Sequence, residues 1–153
     1  MRGIMLLQIA LGAVLALGTI VAGSLSLYAL EGVLQRAHRW LILEPHWPKM
    51  FLMVVSASVW ALAMLGVGVG LWAAAFMALS VFDSWELSVY FALECFTTLG
   101  FGDVLMPPDW RILGGMAAAN GLLNFGLMTA VLMEGVRDLR VRQSRHLRHR
   151  RGD

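Results

Sequence analysis

The sequence predicts an all-α membrane protein with three transmembrane helices and one re-entrant segment. Hydrophobic residues make up 59% of its 153 residues, only 14% are charged, and the mean hydropathy is +0.71. These values lie far outside the range of soluble globular domains. Three uncharged stretches reach the roughly 20 residues that a helix needs to cross a bilayer. A fourth segment, containing Gly-Phe-Gly, breaks the apolar pattern between the last two.

The first predicted transmembrane helix occupies residues 1–31, and residues 4–30 carry no charge. A secretory signal peptide is the alternative, because Arg2 followed by an apolar run imitates one. The uncharged run is longer than a usual signal-peptide core, and no small-x-small cleavage site follows it. We therefore expect a transmembrane helix.

Residues 32–49 form a basic segment with Arg36, Arg39 and Lys49. Either an irregular loop or a short interfacial helix that ends at Pro45 fits this composition. The positive-inside rule assigns the segment to the cytoplasm.

The second and third spans are predicted at residues 50–80 and 110–136. The second is long enough that it must tilt or protrude from the hydrocarbon. The segment 81–111 between them is acidic and is expected to face outward, whereas the tail 137–153 carries seven arginines and is expected in the cytoplasm. Three spans then place the amino terminus outside.

The interrupted segment begins with Ser84, a plausible N-cap, and a helical run over residues 84–97 that is too short to span. The sequence LGFG that follows is not compatible with a helix. Non-helical backbone at membrane depth is tolerated only where it is buried in protein or lines a water-filled cavity. We therefore expect a re-entrant loop rather than a surface hairpin.

The motif TTLGFGD at residues 97–103 resembles the T-V-G-Y-G-D signature of the tetrameric pore-loop potassium channels. The stretch LECFTTLGFGD at 93–103 and the stretch NGLLNFGLMTA at 120–130 are similar to the pore and inner helices of small bacterial members of that family. The resemblance covers residues 50–136 and leaves out the first helix and the tail. It implies a homotetrameric pore, because one chain supplies only one copy of the filter.

The resemblance assigns the selectivity filter to residues 98–103. A dehydrated potassium ion needs a cage of oxygens, and neutral carbonyls bind it without holding it permanently. Gly100 and Gly102 permit the backbone conformations that turn successive carbonyls the same way. By resemblance, the K⁺ ligands are the carbonyls of Thr98, Leu99, Gly100 and Phe101 with the Thr98 hydroxyl, and Gly102 and Asp103 complete the filter.

The filter departs from the family pattern at its aromatic residues. Phe101 replaces the usual tyrosine, and Tyr90 and Phe91 stand where the family often has two tryptophans. We expect Phe91 to pack against Phe101 without a hydrogen bond, which leaves no buried donor unsatisfied but holds the filter width less firmly. Thr97 is expected to be structural.

Glu94 and Asp103 are expected to meet behind the filter if the resemblance holds. Two carboxylates in a poorly solvated place favour a shared proton or a bridging water. The alternative is that Glu94 reaches water and Asp103 caps the outer mouth.

The inner helix carries the predicted cavity and gate. Gly121 matches the family's hinge position, although a close-packing role is equally compatible with a glycine. Asn120 and Asn124 are expected to face other helices rather than lipid. The predicted cavity face consists of Leu122, Phe125, Thr129 and Met133, which share one side of a helix.

These expectations together predict a potassium-selective channel that conducts passively, with potassium ions in the filter and no cofactor. The alternatives are a weakly selective or non-selective cation channel, and a non-conducting membrane assembly or regulatory subunit. No zinc spacing, Walker loop or nucleophile elbow occurs in the sequence, so an enzyme is not expected. The resemblance suggests a multi-pass protein of the bacterial inner membrane. The arginine tail fixes orientation or binds anionic lipid, and nothing indicates nucleic-acid binding.

Overall fold

A computed structural model of the protein describes residues 2–41 and 46–151, and it is built from four α-helices and one short 3₁₀ helix. No strand occurs in these two ranges, which confirms the all-α prediction. Three helical segments of the described chain are long and apolar enough to cross a membrane, namely Gly3–Ala29, Val54–Ala78 and Pro108–Val131. The helices are α1 (Arg2–Leu41), α2 (His46–Ala78), α3 (Trp85–Thr97) and α4 (Arg111–Arg151), with the 3₁₀ helix at Pro108–Trp110.

Two helices extend beyond their predicted bounds. Helix α1 continues to Leu41, so much of the predicted basic loop is helical, and helix α4 continues to Arg151 instead of ending near residue 136. Residues 33–41 and 136–151 contain neither glycine nor proline, so nothing in them breaks the helix. The predicted helix end at Pro45 and the final Gly-Asp lie outside the described residues.

Helix α1 packs against α4 and α2. Its Gln8 and Thr19 hydrogen-bond to Asp109 and Asn120 respectively, so the residue numbers increase together and α1 runs parallel to α4. Farther along, Ser26 accepts a hydrogen bond from Trp60 of α2 at 2.9 Å. The amino-terminal ends of α1 and α4 therefore lie on the same side of the bundle, which agrees with the predicted outward amino terminus.

Helix α3 lies against both α2 and α4, and an aromatic cluster joins it to α2. The Phe76 ring meets Phe82 and Phe91 edge-on, with centroids 6.0 and 5.7 Å apart, and Trp72 lies 5.9 Å from Phe76. Edge-to-face pairs of this kind add roughly 0.5–1.5 kcal/mol each beyond the burial of their area. The cluster fixes the depth and tilt of α3, and through α3 the position of the segment that follows it.

Helix α3 begins as the sequence predicts. Ser84 has extended backbone (φ −138°, ψ 150°), and its side chain accepts a hydrogen bond from the Leu87 N–H. This N-cap satisfies one of the free donors of the first turn and contributes about 1 kcal/mol.

Candidate functional site

The site begins where α3 ends, at Thr98. This residue is in the left-handed conformation (φ 57°, ψ 24°), and its N–H donates to the Cys95 carbonyl at 3.2 Å. The Leu99 N–H donates back to the Glu94 carbonyl at 3.1 Å. A left-handed residue with these two backward bonds is a common helix C-cap, although glycine usually fills it. The chain therefore leaves the helix abruptly, and a non-helical segment follows.

Positive φ angles occur at every second residue of that segment. The values are 57° at Thr98, 56° at Gly100 and 78° at Gly102. Left-handed residues alternating with ordinary ones turn successive peptide planes the same way, so such a backbone can direct its carbonyls to one side. Glycine reaches positive φ without strain, whereas Thr98 does so at a cost.

The side chain of Glu94 lies behind this segment. It is only 5% exposed, and its Oε1 accepts a hydrogen bond from the Phe101 N–H at 3.0 Å. The carboxylate thus ties the middle of the non-helical segment to α3.

Asp103 binds a different group from Glu94. Its Oδ2 accepts the Tyr90 hydroxyl proton at 2.9 Å, and its Oδ1 accepts the Val104 N–H at 3.0 Å. The two carboxylates therefore accept three hydrogen bonds, two from backbone N–H groups and one from a phenol. The shared proton or bridging water between Glu94 and Asp103 stays a prediction. The hydrogen bond to Asp103 raises the pKa of Tyr90 from 10.0 to about 12, and partial burial and the two nearby carboxylates act in the same direction.

The predicted packing of Phe91 against Phe101 is not formed within one chain. Phe91 is buried against Phe76 and Phe82, while Phe101 is 68% exposed. The ring of Phe101 is therefore free to meet another chain. Thr97 donates its hydroxyl proton to the Leu93 carbonyl at 2.8 Å, as expected of a structural residue.

An open groove of about 590 Å³ runs between the non-helical segment, α3 and α4. Glu94, Cys95 and Thr98 lie along one side, and Gly114, Gly115 and Ala118 of α4 lie along the other. Small residues leave room here for a further packed element.

Gly121 of α4 packs directly on the end of α3. A Cβ atom at this position would lie 2.8 Å from the Phe96 carbonyl oxygen and 3.0 Å from its carbon. On the other side of α3, a Cβ at Gly68 would lie 2.7 Å from the Phe96 ring. Phe96 thus lies between two glycines, which supports a close-packing role for Gly121. The hinge role of Gly121 stays a prediction.

Helix α4 has two faces of opposite character. The predicted cavity residues Leu122, Phe125 and Met133 are 64%, 42% and 69% exposed in the single chain. Thr129 is also exposed and donates its hydroxyl proton to the Phe125 carbonyl. On the opposite side of the helix, Asn120 and Asn124 are 1% and 9% exposed, which agrees with the prediction that they face other helices.

Two side chains of α1, for which the sequence predicted no role, form hydrogen bonds to α4. Gln8 accepts the Leu113 N–H at 3.2 Å and donates to the Asp109 carbonyl at 2.6 Å. Thr19 lies within hydrogen-bond distance of Asn120. Isolated polar residues inside an uncharged span could have indicated these contacts, because polar groups at membrane depth turn toward protein partners.

The chain matches a protein-family model described as an ion channel over residues 50–138, which is more than half of the chain. The comparisons with curated proteins and with solved structures give no match.

Proposed function

Because the chain belongs to this ion channel family, we propose that it forms a homotetrameric channel selective for potassium, with residues 98–103 as its filter. The observation that carries the proposal is the alternation of positive φ at Thr98, Gly100 and Gly102. A ring of carbonyls from four such segments provides the stacked oxygen cages that replace the water shell of K⁺. Four chains are needed because each contributes one filter segment.

The polar contacts behind the filter oppose its collapse. The Glu94 carboxylate holds the Phe101 N–H, and the Tyr90 phenol holds Asp103 at the outer end. With its N–H bound from behind, the Phe101 peptide is held against rotation, so the neighbouring carbonyls stay directed at the ion. The proposed K⁺ ligands are the carbonyls of Thr98, Leu99, Gly100 and Phe101 and the Thr98 hydroxyl.

The electrostatics of the chain favour cations at both ends of this filter. Helix α3 directs its carboxyl-terminal end, which carries a partial negative charge, toward the inner cavity. Exposed acids lie on the outer side and raise the local cation concentration there. They are Asp83, Glu86, Asp103 and Asp109.

The exposed groove and the exposed Phe101 support assembly of further copies around the filter. Both lie on the side of the chain that carries residues 98–103, and their small and apolar groups suit a packed neighbour. The exposed face of α4 lines the cavity and gate in this arrangement. The arginine tail holds the inner ends near anionic headgroups, where each basic side chain contributes about 1 kcal/mol.

Weak selectivity is the second candidate, and the side chain of Phe101, which is 68% exposed, favours it. An aromatic side chain without a hydrogen-bonding group restrains the width of the filter only through apolar packing between chains. Ions with a shorter oxygen distance, such as Na⁺, then meet a smaller penalty.

The test is a reversal-potential measurement on the purified protein in liposomes under opposing K⁺ and Na⁺ gradients. A potassium channel gives a reversal potential close to the K⁺ equilibrium value, and a non-selective channel gives one near zero. No current across the accessible range of voltage and pH would support a non-conducting assembly instead.

A matched pair of glycine substitutions localises the current to the filter. Gly102→Ala places a Cβ on a residue with φ 78° and is expected to abolish K⁺ current. Gly18→Ala lies in α1, at an ordinary helical position with no atom within 4 Å of the added Cβ, and is expected to leave the current unchanged.

A further inference from the structure

A buried polar network joins α1 to α4 in the middle of the bundle. The Thr19 hydroxyl lies 2.9 Å from Nδ2 and 3.0 Å from Oδ1 of Asn120. Asn124 Nδ2 lies 3.0 Å from Asn120 Oδ1 and 3.4 Å from the Thr19 hydroxyl. The three side chains are between 1% and 9% exposed, so the network is shielded from lipid by the chain itself.

The network lies beside the contact between α4 and the end of α3, which precedes the proposed filter. Asn120 immediately precedes Gly121, where α4 touches the backbone of Phe96 two residues before Thr98. The same network lies on the side of α4 opposite Leu122 and Phe125. Any rotation of α4 about its axis would break the network and turn the proposed cavity face away from its position.

Directional bonds are needed for this task because apolar packing between membrane helices tolerates many rotations. Lipid tails are as apolar as leucine, so helix association in a bilayer depends on close packing and on interhelical hydrogen bonds. Gln8 binds the backbone at the start of α4, and Thr19 binds side chains farther down the same helix. These two sets of hydrogen bonds lie at different depths in the bundle, so together they fix both the position and the rotation of the outer half of α4.

We propose that Thr19 is a positioning residue for gating, and this inference rests on the proposed channel function. Thr19 touches no ion. It acts through Asn120 and Asn124 to hold α4 in the rotation that presents Leu122 and Phe125 to the pore.

The test is single-channel recording of Thr19→Val, which removes the hydroxyl and keeps the side-chain shape. The ratio of open to closed time is expected to change by at least about three-fold, which is the effect of losing a single hydrogen bond between membrane helices, because the hydroxyl contacts both Asn120 and Asn124. The unitary conductance and the K⁺/Na⁺ reversal potential are expected to stay the same, because the filter is untouched. Thr19→Ser restores the hydroxyl and is expected to restore the wild-type ratio.

Two other hydroxyls of α1 provide matched controls. Ser24 bonds only to the Ile20 carbonyl of its own helix, and Ser26 bonds to Trp60 and Met64 of α2. Ser24→Ala and Ser26→Ala are expected to leave the ratio unchanged. Gating in Thr19→Val equal to that of wild type, or equal in all three variants, overturns the proposal.

A labelling measurement separates this inference from the channel function itself. In a Cys95→Ser background, Thr129→Cys reports the accessibility of the proposed cavity face to a water-soluble thiol reagent. A changed labelling rate when Thr19→Val is added supports the positioning role even if the wild type carries no current, and an unchanged rate overturns it. If Thr19→Val does not yield folded protein, Asn124→Ala removes the Asn124 branch of the network and is judged by the same two outcomes.

Discussion

At the scale of single residues, Glu94 is the side chain that binds the backbone of the proposed filter segment most directly. It is a buried carboxylate whose oxygen accepts one backbone N–H from the non-helical segment. Leaving a buried N–H without a partner costs about 1–3 kcal/mol, which is more than an intact hydrogen bond contributes to stability.

Substitution of Glu94 by leucine is therefore expected to lower stability by about 1–3 kcal/mol, because the Phe101 N–H loses its acceptor, and to reduce K⁺ current. Glu94→Gln keeps an acceptor oxygen and is expected to retain much of both. The measurement combines thermal unfolding at fixed K⁺ concentration with liposome flux. Glu86→Leu, which removes an exposed acid from the first turn of the same helix, serves as the control and is expected to cost less than about 1 kcal/mol. Equal losses for Glu94→Gln and Glu94→Leu would contradict the assigned bond.

Tyr90 offers a pH-dependent test of the contact with Asp103, at the end of the proposed filter. Its pKa is raised to about 12 by the hydrogen bond to Asp103, so the folded state favours the protonated phenol. The bond's contribution is complete below pH 10, the unfolded value, and is lost as the pH rises through about 12.

The chain has two tyrosines, so Tyr28→Phe leaves Tyr90 as the only one to titrate. The tyrosinate absorbance of that variant is expected to rise with a midpoint near pH 12. Adding Asp103→Asn removes the carboxylate charge and is expected to lower the midpoint. A midpoint that does not move with Asp103→Asn would mean that Tyr90 and Asp103 are not bonded.

At the scale of elements, the contact between α3 and α4 is set by Gly121. Because a Cβ there meets backbone rather than a flexible side chain, the helices cannot adjust by changing a rotamer. Gly126, one and a half turns farther along, has no atom within 4 Å of the corresponding position.

Gly121→Ala is accordingly expected to destabilise the protein by about 1–3 kcal/mol through overpacking. Gly126→Ala is expected to be neutral or to stabilise α4 by up to about 1 kcal/mol, since alanine is the better helix former. Thermal unfolding and the fraction of assembled protein after purification measure the difference. If both variants unfold like the wild type, the α3–α4 contact is looser than described.

Several elements were predictable from the sequence because their causes are local. The uncharged runs predicted the three spans, and Ser84 predicted the start of α3. The glycines at 100 and 102 indicated the non-helical segment, and both have positive φ. The ends of α1 and α4 were missed because basic residues without glycine or proline do not stop a helix.

The missed side-chain contacts are non-local. Tyr90 and Asp103 are brought together only because the chain reverses after Thr98. Thr19 and Asn120 lie 101 positions apart, and a single threonine in an apolar helix does not specify its partner. Phe101 was assigned to Phe91 by resemblance, whereas within one chain Phe91 packs on α2 and on Phe82.

At the scale of the whole molecule, one of the three membrane-spanning helices, α1, lies outside the region that the family model matches. The match begins at residue 50, whereas α1 packs on both α2 and α4. The helices of the matched region and α1 therefore share one packed interior, in which Leu11 and Leu15 of α1 border the aromatic core.

The buried asparagines of α4 have a consequence for shortening the chain. Deleting α1 would uncover Asn120 and Asn124 to hydrocarbon and remove the Thr19 hydroxyl that both amides contact. An amide N–H left without a partner in hydrocarbon costs several kcal/mol. A shortened chain without α1 would need apolar residues at both positions to be stable in a bilayer. Helix α1 therefore shields the polar face of α4 from lipid, and it cannot be removed without redesigning that face.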